Sequence, residues 1–201
     1  MSSTHDHSHA SLQHDRRTLY IVLALNFAMF VLEIWQGTKA DSTSLIADSM
    51  DFLSDSFSYV ITLYVLTKSL RARAHASLLK AALMLCLAAV ALGQGIHNLI
   101  THAMPHYTTM GWVGTLALIA NVTSAALLYR TRNRDSNMES VWLCSRNDAI
   151  ANVAILIAAF LVFATESLWP DLIVALIITW LEGGAALKII AHAKKELPHD
   201  Q

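Results

Sequence analysis

The sequence predicts an all-α fold: a polytopic membrane protein, a six-transmembrane-helix bundle with both termini cytoplasmic. Three observations carry that prediction. The 201-residue chain is 55% hydrophobic and only 14% charged, on the apolar side of an average soluble domain. Its apolar residues fall in six blocks of membrane-spanning length, roughly 20 residues being needed to cross a bilayer core. Its basic residues gather in alternate connections. Arg16 and Arg17 precede the first block, Lys68, Arg71, Arg73 and Lys80 flank the start of the third, Arg130, Arg132 and Arg134 separate the fourth and fifth, and Lys188, Lys194 and Lys195 close the sixth; the other three connections hold only Lys39. Positive charge marks the cytoplasmic side of short loops, so alternation over six spans returns both termini to the cytoplasm. The net charge of −1 adds nothing to this.

Three segments follow: a polar tail at 1–17, the transmembrane domain at 18–190 and a short cytoplasmic tail at 191–201. The first, "MSSTHDHSHASLQHD", is rich in histidine and has the composition of a disordered segment. His5, His7 and His9 suit a loose metal-collecting arm, since His-rich tracts bind transition metals; a solvated tail without a role is the plainer reading. No basic start runs into a short apolar stretch with a cleavage site, so a cleavable signal peptide is not predicted. Cys86 and Cys144 both fall within spans, which argues against a disulfide framework. Six spans with short loops use nearly the whole chain and leave no room for a separate soluble domain.

The first span, about Leu19–Gly37, carries Asn26 and Glu33, which seven residues apart share a helix face. Bonding to a neighbouring helix is the expectation for both, and Glu33, near the outer end, also suits an exit path. The second, Ser44–Thr67, contains "DSMDFLSDS". Ionised Asp costs roughly 2.5–3.5 kcal/mol at the centre of a spanning helix, and here there are three, Asp48, Asp51 and Asp55. At 3.6 residues per turn they occupy a wedge of roughly 60°. Ionisable residues on one face of a span mark an ion path or aqueous cavity.

The third span, Leu78–Ile100, is rich in Ala and Gly, which permit close helix approach; His97 near its outer end is more simply a satisfied interfacial polar group than a metal ligand. The fourth, Met110–Tyr129, offers Asn121, Thr123 and Ser124 for bonds across helices. The fifth, Val141–Ala164, opens "VWLCSRNDAIANVAIL". Cys144 and Asp148 stack four apart on one face, Asn147 and Asn152 add polar groups, and Arg146 points away from that face, toward the cytoplasmic end. The sixth, Leu172–Ile190, is preceded by "WPD": Pro170 fits a first turn and Asp171 a helix N-terminus, where capping is its expected role.

The second span runs inward and the fifth outward. Packed antiparallel, Asp51 is expected to face Asp148 while Asp55 faces Cys144. Two i, i+4 pairs on facing helices would supply four ligands, the number a divalent transition metal favours. Carboxylates protonated or bonded to Asn and Ser, or a path for protons alone, are the competing readings. No phosphate-binding glycine loop, nucleophile elbow or Cys-x-x-Cys pair is present, and nothing supports nucleic-acid binding.

The pattern resembles the cation diffusion facilitator (cation efflux) family of divalent-metal transporters over all six spans. "DSTSLIADSMDFLSDS" is similar to the family's second-helix signature, with Asp51 and Asp55 on its HxxxD or DxxxD ligand pair. "DSNMESVWLCSRNDAIANVAILIAAF" is similar to its fifth-helix segment, with Cys144 and Asp148 on the second pair. "WPDLIVALII" resembles the opening of its sixth helix. The resemblance implies export of Zn²⁺ or a related divalent metal (Co²⁺, Ni²⁺, Cd²⁺, Fe²⁺, Mn²⁺) from the cytoplasm by proton antiport, as a multi-pass protein of the bacterial inner membrane and usually a homodimer, with no resident cofactor and no enzymatic activity. Two departures stand out. Cys144 replaces the usual His or Asp; if its thiol only packs, Asp48 or a water completes the shell. The family's usual cytoplasmic C-terminal domain is absent from this sequence, so a compact branch whose dimer is held by membrane helices is expected. An intramembrane metalloenzyme and a metal sensor that moves no ion are the alternatives. The first lacks a zinc-hydrolase His-Glu motif, and the second is separated by flux.

Overall fold

A computed structural model describes residues 3–65, 70–130 and 136–196, and within them the side chains of 16–64, 75, 78–130 and 141–191. Every regular element among the described residues is helical: α1 (Ser3–Lys39), α2 (Thr43–Val65), α3 (Leu70–Thr101), α4 (Tyr107–Tyr129), α5 (Ser136–Thr165) and α6 (Trp169–Glu196). Each predicted span lies on one of them. The helices overrun the apolar blocks mainly at the end that carries the chain termini. α1 reaches back to Ser3, so the tail expected to lack structure has helical backbone; a helix already nucleated in the apolar block adds residues at little cost. The side chains of His5, His7 and His9 lie outside the described residues.

Five of the helices are long and apolar enough to cross a membrane by composition. α2 is the exception. At 23 residues it is long enough, about 34 Å at 1.5 Å per residue, but its three aspartates disqualify it on apolarity. Its position in the bundle resolves the conflict. α2 packs against all five other helices, while α1, α4, α5, α6 and α3 follow one another around it. Residues 43–52 of α2 are buried without interruption.

The bundle is polar inside and apolar outside. Trp180, Ile100 and Tyr64 are 76%, 73% and 69% exposed, whereas Glu33, Asn152 and Ser145 are 0% exposed. Exposed apolar surface on this scale marks contact with lipid, and buried ionisable groups are what a membrane bundle keeps to itself. The chain is a multi-pass integral membrane protein.

α1, α3 and α5 each end on a residue with positive φ: Asp41 at 51°, His102 at 52° and Glu166 at 45°. At the first two the next amide closes the helix end, Ser42 donating to the Gly37 carbonyl at 3.1 Å and Ala103 to the Asn98 carbonyl at 3.0 Å, a Schellman-type closure. These turns meet at one end of the bundle, where the His106 amide donates to the Ala40 carbonyl at 2.9 Å. Gly37 and Gly95 admit α2 there: a Cβ on Gly37 would stand 3.1 Å from Ile46 and Leu45, and one on Gly95 3.1 Å from Thr43.

Apolar packing comes in layers. One cluster joins Leu45, Ile46, Ala47 and Met50 of α2 to Ile155, Ala158 and Val162 of α5, and to Ile178 of α6. Nearer the termini a second joins Leu19, Tyr59, Leu128 and Val141. Asp51 and Asp55 of α2 and Asp148 and Asn152 of α5 lie between these two layers.

Candidate metal site

The acidic stripe of α2 is divided among three neighbours. Asp48 pairs with Glu33 of α1, Asp51 with Glu182 of α6, and Asp55 with Asp148 of α5. The division follows from helix geometry. Asp48 and Asp51 differ by about 60° in direction and 4.5 Å in height, enough on a helix that packs against all five others to aim them at different partners. Asp148 lies against Asp55 and also acts on Asp51, Asp55 is the foremost charge beside Cys144, and α6 adds Glu182 opposite Asp51, a group the expected register did not include. Cys144 stands near both Asp55 and Asp148 and is partly exposed.

Each pair sets carboxyl against carboxyl. Two unit charges of one sign 4 Å apart repel by about 4 kcal/mol at an effective dielectric of 20. A proton or a cation between the partners removes that repulsion. Hydrogen bonding leaves room for such a guest. Both oxygens of Glu33, both of Asp48 and Oδ1 of Asp51 are buried without a hydrogen-bond partner, as is Oδ1 of Asn152. Asn152 donates to the Asp148 carbonyl at 2.9 Å, which turns its unpaired carbonyl oxygen into the bundle.

Donors support only the inner part of the stripe. The Tyr59 hydroxyl donates to Asp55 Oδ2 at 3.3 Å and lies 3.0 Å from the Ser145 hydroxyl. Lys80 of α3 acts electrostatically on Asp55, Cys144 and Glu182. Exposure falls in the same direction: Cys144, Asp148, Lys80 and Glu182 are partly exposed, Asp51 and Asp55 are 8% exposed, and Asp48 is 1% exposed.

The opposite end is closed by Asp171 and the start of α2. Asp171 Oδ2 accepts from the Thr43 amide at 2.6 Å, and Oδ1 accepts from the Ser44 amide at 3.1 Å and the Ser42 hydroxyl at 2.8 Å. Asn98 adds bonds to the Asp41 carbonyl and the Thr43 hydroxyl at 2.8 and 2.9 Å. Asp171 is thus a cap, but of α2 rather than of its own helix.

The remaining candidates are dispersed. His97 is exposed on the outside of α3 and far from the stripe in character, its carbonyl taking only a helical bond from Thr101. Arg146 is exposed over the Trp142 ring at 5.3 Å, with Asn147 beside it. Asn26 donates to Ser124 at 3.4 Å, bridging α1 and α4 as expected, whereas Thr123 bonds back to Ile119 in its own helix. Among the described residues, no three His, Cys, Asp or Glu side chains gather closely enough to hold a metal ion.

Sequence reasoning passed over Glu182, Tyr59, Ser145 and Lys80. Two of them carried a signal. Glu182 is an ionisable residue deep in a span, and Tyr59 lies one helical turn from Asp55.

Comparison with known proteins now bears on the chain. The model of the cation efflux transmembrane domain matches residues 19–197. The chain belongs to the cation efflux family. Among curated relatives, the metal cation efflux system protein CzcD of Cupriavidus metallidurans is 23% identical over 209 residues, covering 94% of this chain and 66% of that protein. The cation efflux system protein CzcD of an Alcaligenes species is 24% identical over 190 residues, covering 89% of this chain and 60% of the relative. The chain thus spans less than two thirds of the length of the curated relatives that it matches. The cation efflux match covers all six helices, including the α2 and α5 segments that carry the carboxyl pairs.

Proposed function

We propose that this protein exports a divalent transition metal, Zn²⁺ foremost, from the cytoplasm in exchange for protons, through a site between α2 and α5. The observation that carries the reading is the meeting of Asp55 and Asp148 across the two helices, inside a polar layer bounded by apolar packing above and below. Membership of the cation efflux family supports it. Two curated relatives are named for cation efflux, one of them for metal cations.

Asp51, Asp55 and Asp148 serve as oxygen ligands and Cys144 as a sulfur ligand. Thiolate favours Zn²⁺ over Mn²⁺, while carboxylates suit both. Co²⁺, Ni²⁺, Cd²⁺, Fe²⁺ and Mn²⁺ compete at the same donors. The metal enters from the end bearing the chain termini, which the basic loops mark as cytoplasmic. Ligands must be deprotonated to bind it, so loading the metal releases protons and re-protonation on the far side displaces it. The bundle works as a homodimer joined through its membrane helices.

The test is metal flux in proteoliposomes over a panel of divalent ions, with and without an imposed proton gradient. Wild-type protein moves Zn²⁺ and responds to the gradient. Asp51→Ala and Asp148→Ala each abolish flux while keeping the elution profile and helical content of the parent. Wild-type rates in either variant defeat the site. Metal binding without any flux in the parent makes the protein a sensor instead.

A further inference from the structure

Glu33 and Asp48 stand apart from the rest of the acidic stripe. They are 0% and 1% exposed, they lie against each other across α1 and α2, and all four of their oxygens lack a hydrogen-bond donor. Several other acidic groups have help that this pair does not: Asp55 takes the Tyr59 hydroxyl, Asp171 takes the start of α2, and Lys80 acts on Asp55 and Glu182; Asp51 keeps one unpaired oxygen, whereas all four oxygens of Glu33 and Asp48 are unpaired. The charged groups bearing on Asp48 besides Glu33 are Asp51 of its own helix, Asp148 of α5 and Glu182 of α6, all acidic. A buried acceptor without a donor costs about 1–3 kcal/mol, more when charged. Two acceptor groups facing each other have no donor of their own, and a proton held between them removes that cost.

The place of the pair narrows the guest. Glu33 is six residues before the end of α1 and Asp48 five after the start of α2, so both lie about 7–9 Å below the closed end. That puts them between the Asp171 latch and the metal ligands. Among the described residues Glu33 and Asp48 are the two facing carboxyls with every oxygen unpaired; a transition metal takes four ligands, whereas a proton bridging two carboxyls needs no others.

We propose that Glu33 and Asp48 form a proton-binding carboxyl pair, distinct from the metal ligands, that takes up one further proton exchanged for the metal beside those the ligands themselves bind. One carboxyl carries the proton and donates it to the other carboxylate. Parting of the Asp171 contacts exposes the pair to outer water, from which it takes a second proton; closing and metal loading from the inside return that proton to the cytoplasmic side. The coupling role rests on the transport reading above, whereas the presence of a shared proton does not.

Two measurements on the full chain test this. Infrared spectra of the purified protein, without metal, contain the carbonyl stretch of a protonated carboxyl that is diminished in Glu33→Gln and in Asp48→Asn. Both amides supply a donor to the remaining carboxyl, so the fold is kept. In proteoliposomes the same variants bind Zn²⁺ like the parent, but an imposed proton gradient accelerates Zn²⁺ flux less than in the parent. Glu33→Asp, which keeps a carboxyl, keeps the full acceleration. Should Asp48→Asn fail to fold, Glu33→Gln and Glu33→Asp together decide. An unchanged infrared band overturns the shared proton. A gradient response equal to the parent's in Glu33→Gln overturns the coupling role, and loss of Zn²⁺ binding there assigns the pair to the metal site instead. A parent without flux removes the transport reading, and the coupling role with it, while the infrared band still decides whether the pair holds its proton.

Discussion

Tyr59 joins α2 to α5 directly below the carboxyls, and its hydroxyl donates to Asp55. The ring is 1% exposed and packs with Leu19, Leu128 and Val141, so its direction is fixed by apolar contact rather than by the bond it makes. Tyr59→Phe keeps that packing and removes only the oxygen. Ser145, itself buried, loses its partner, and stability falls by about 1 kcal/mol, the usual net value of one hydrogen bond. The larger effect is on affinity. Removing a group that orients a metal ligand costs about 10–100-fold in metal binding, and Zn²⁺ titration of the purified variant measures it. Parent-like affinity would mean that Asp55 is held without the tyrosine. Such residues explain what the sequence made legible. Asp51, Asp55, Cys144 and Asp148 stand out because each pair repeats at four residues along one helix. Glu182 has no partner within its helix and gains its meaning from Asp51, across a distance set by how α6 is rotated against α2.

Helices read well because their signals are local. Block length and charge alternation located all six, and Pro170 sits in the first turn of α6, as its fixed φ predicts. Asp171 illustrates where locality ends. Its neighbours in sequence make it a cap for α6, yet its carboxylate accepts the first amides of α2, which the connecting turns bring to the same end of the bundle. The bonds are buried, and their loss strands two amides and two hydroxyls. Replacing a capping Asp by Ala costs about 0.5–2 kcal/mol, and buried donors left unpaired add to it. Asp171→Ala is expected to lower stability by about 2–3 kcal/mol, with Asp171→Asn intermediate because its amide oxygen still accepts. Thermal unfolding in detergent micelles ranks the three proteins. Equal melting of parent and Asp171→Ala would show that α2 is held at that end by the Asn98 bonds alone.

The assembled bundle decides whether α2 crosses the membrane at all. On insertion scales its nine Leu, Ile, Phe and Val residues contribute roughly −0.3 to −0.6 kcal/mol each, about −3 to −5 together. Asp51 and Asp55 near the centre cost roughly 2.5–3.5 kcal/mol each, about 5–7 together, and Asp48, nearer one end, adds to that. The balance is against insertion, whereas α4, which carries no charged residue, has no such debt. What tips α2 inward is company: it packs against all five other helices, and none of its three carboxyls faces lipid. The expectation is that segment 43–65, placed alone in a host protein and scored by glycosylation of its flanks, fails to span, while segment 107–129 spans. Replacing Asp48, Asp51 and Asp55 together by Ala converts the isolated α2 into an efficient span. In the full chain α2 spans with its aspartates intact, because α1 precedes it into the membrane and offers Glu33 to Asp48 while α5 and α6 follow. Efficient insertion of the isolated wild-type segment would show that the carboxyls are cheap in lipid, and the inference that they are retained for a positively charged guest would lose its energetic basis.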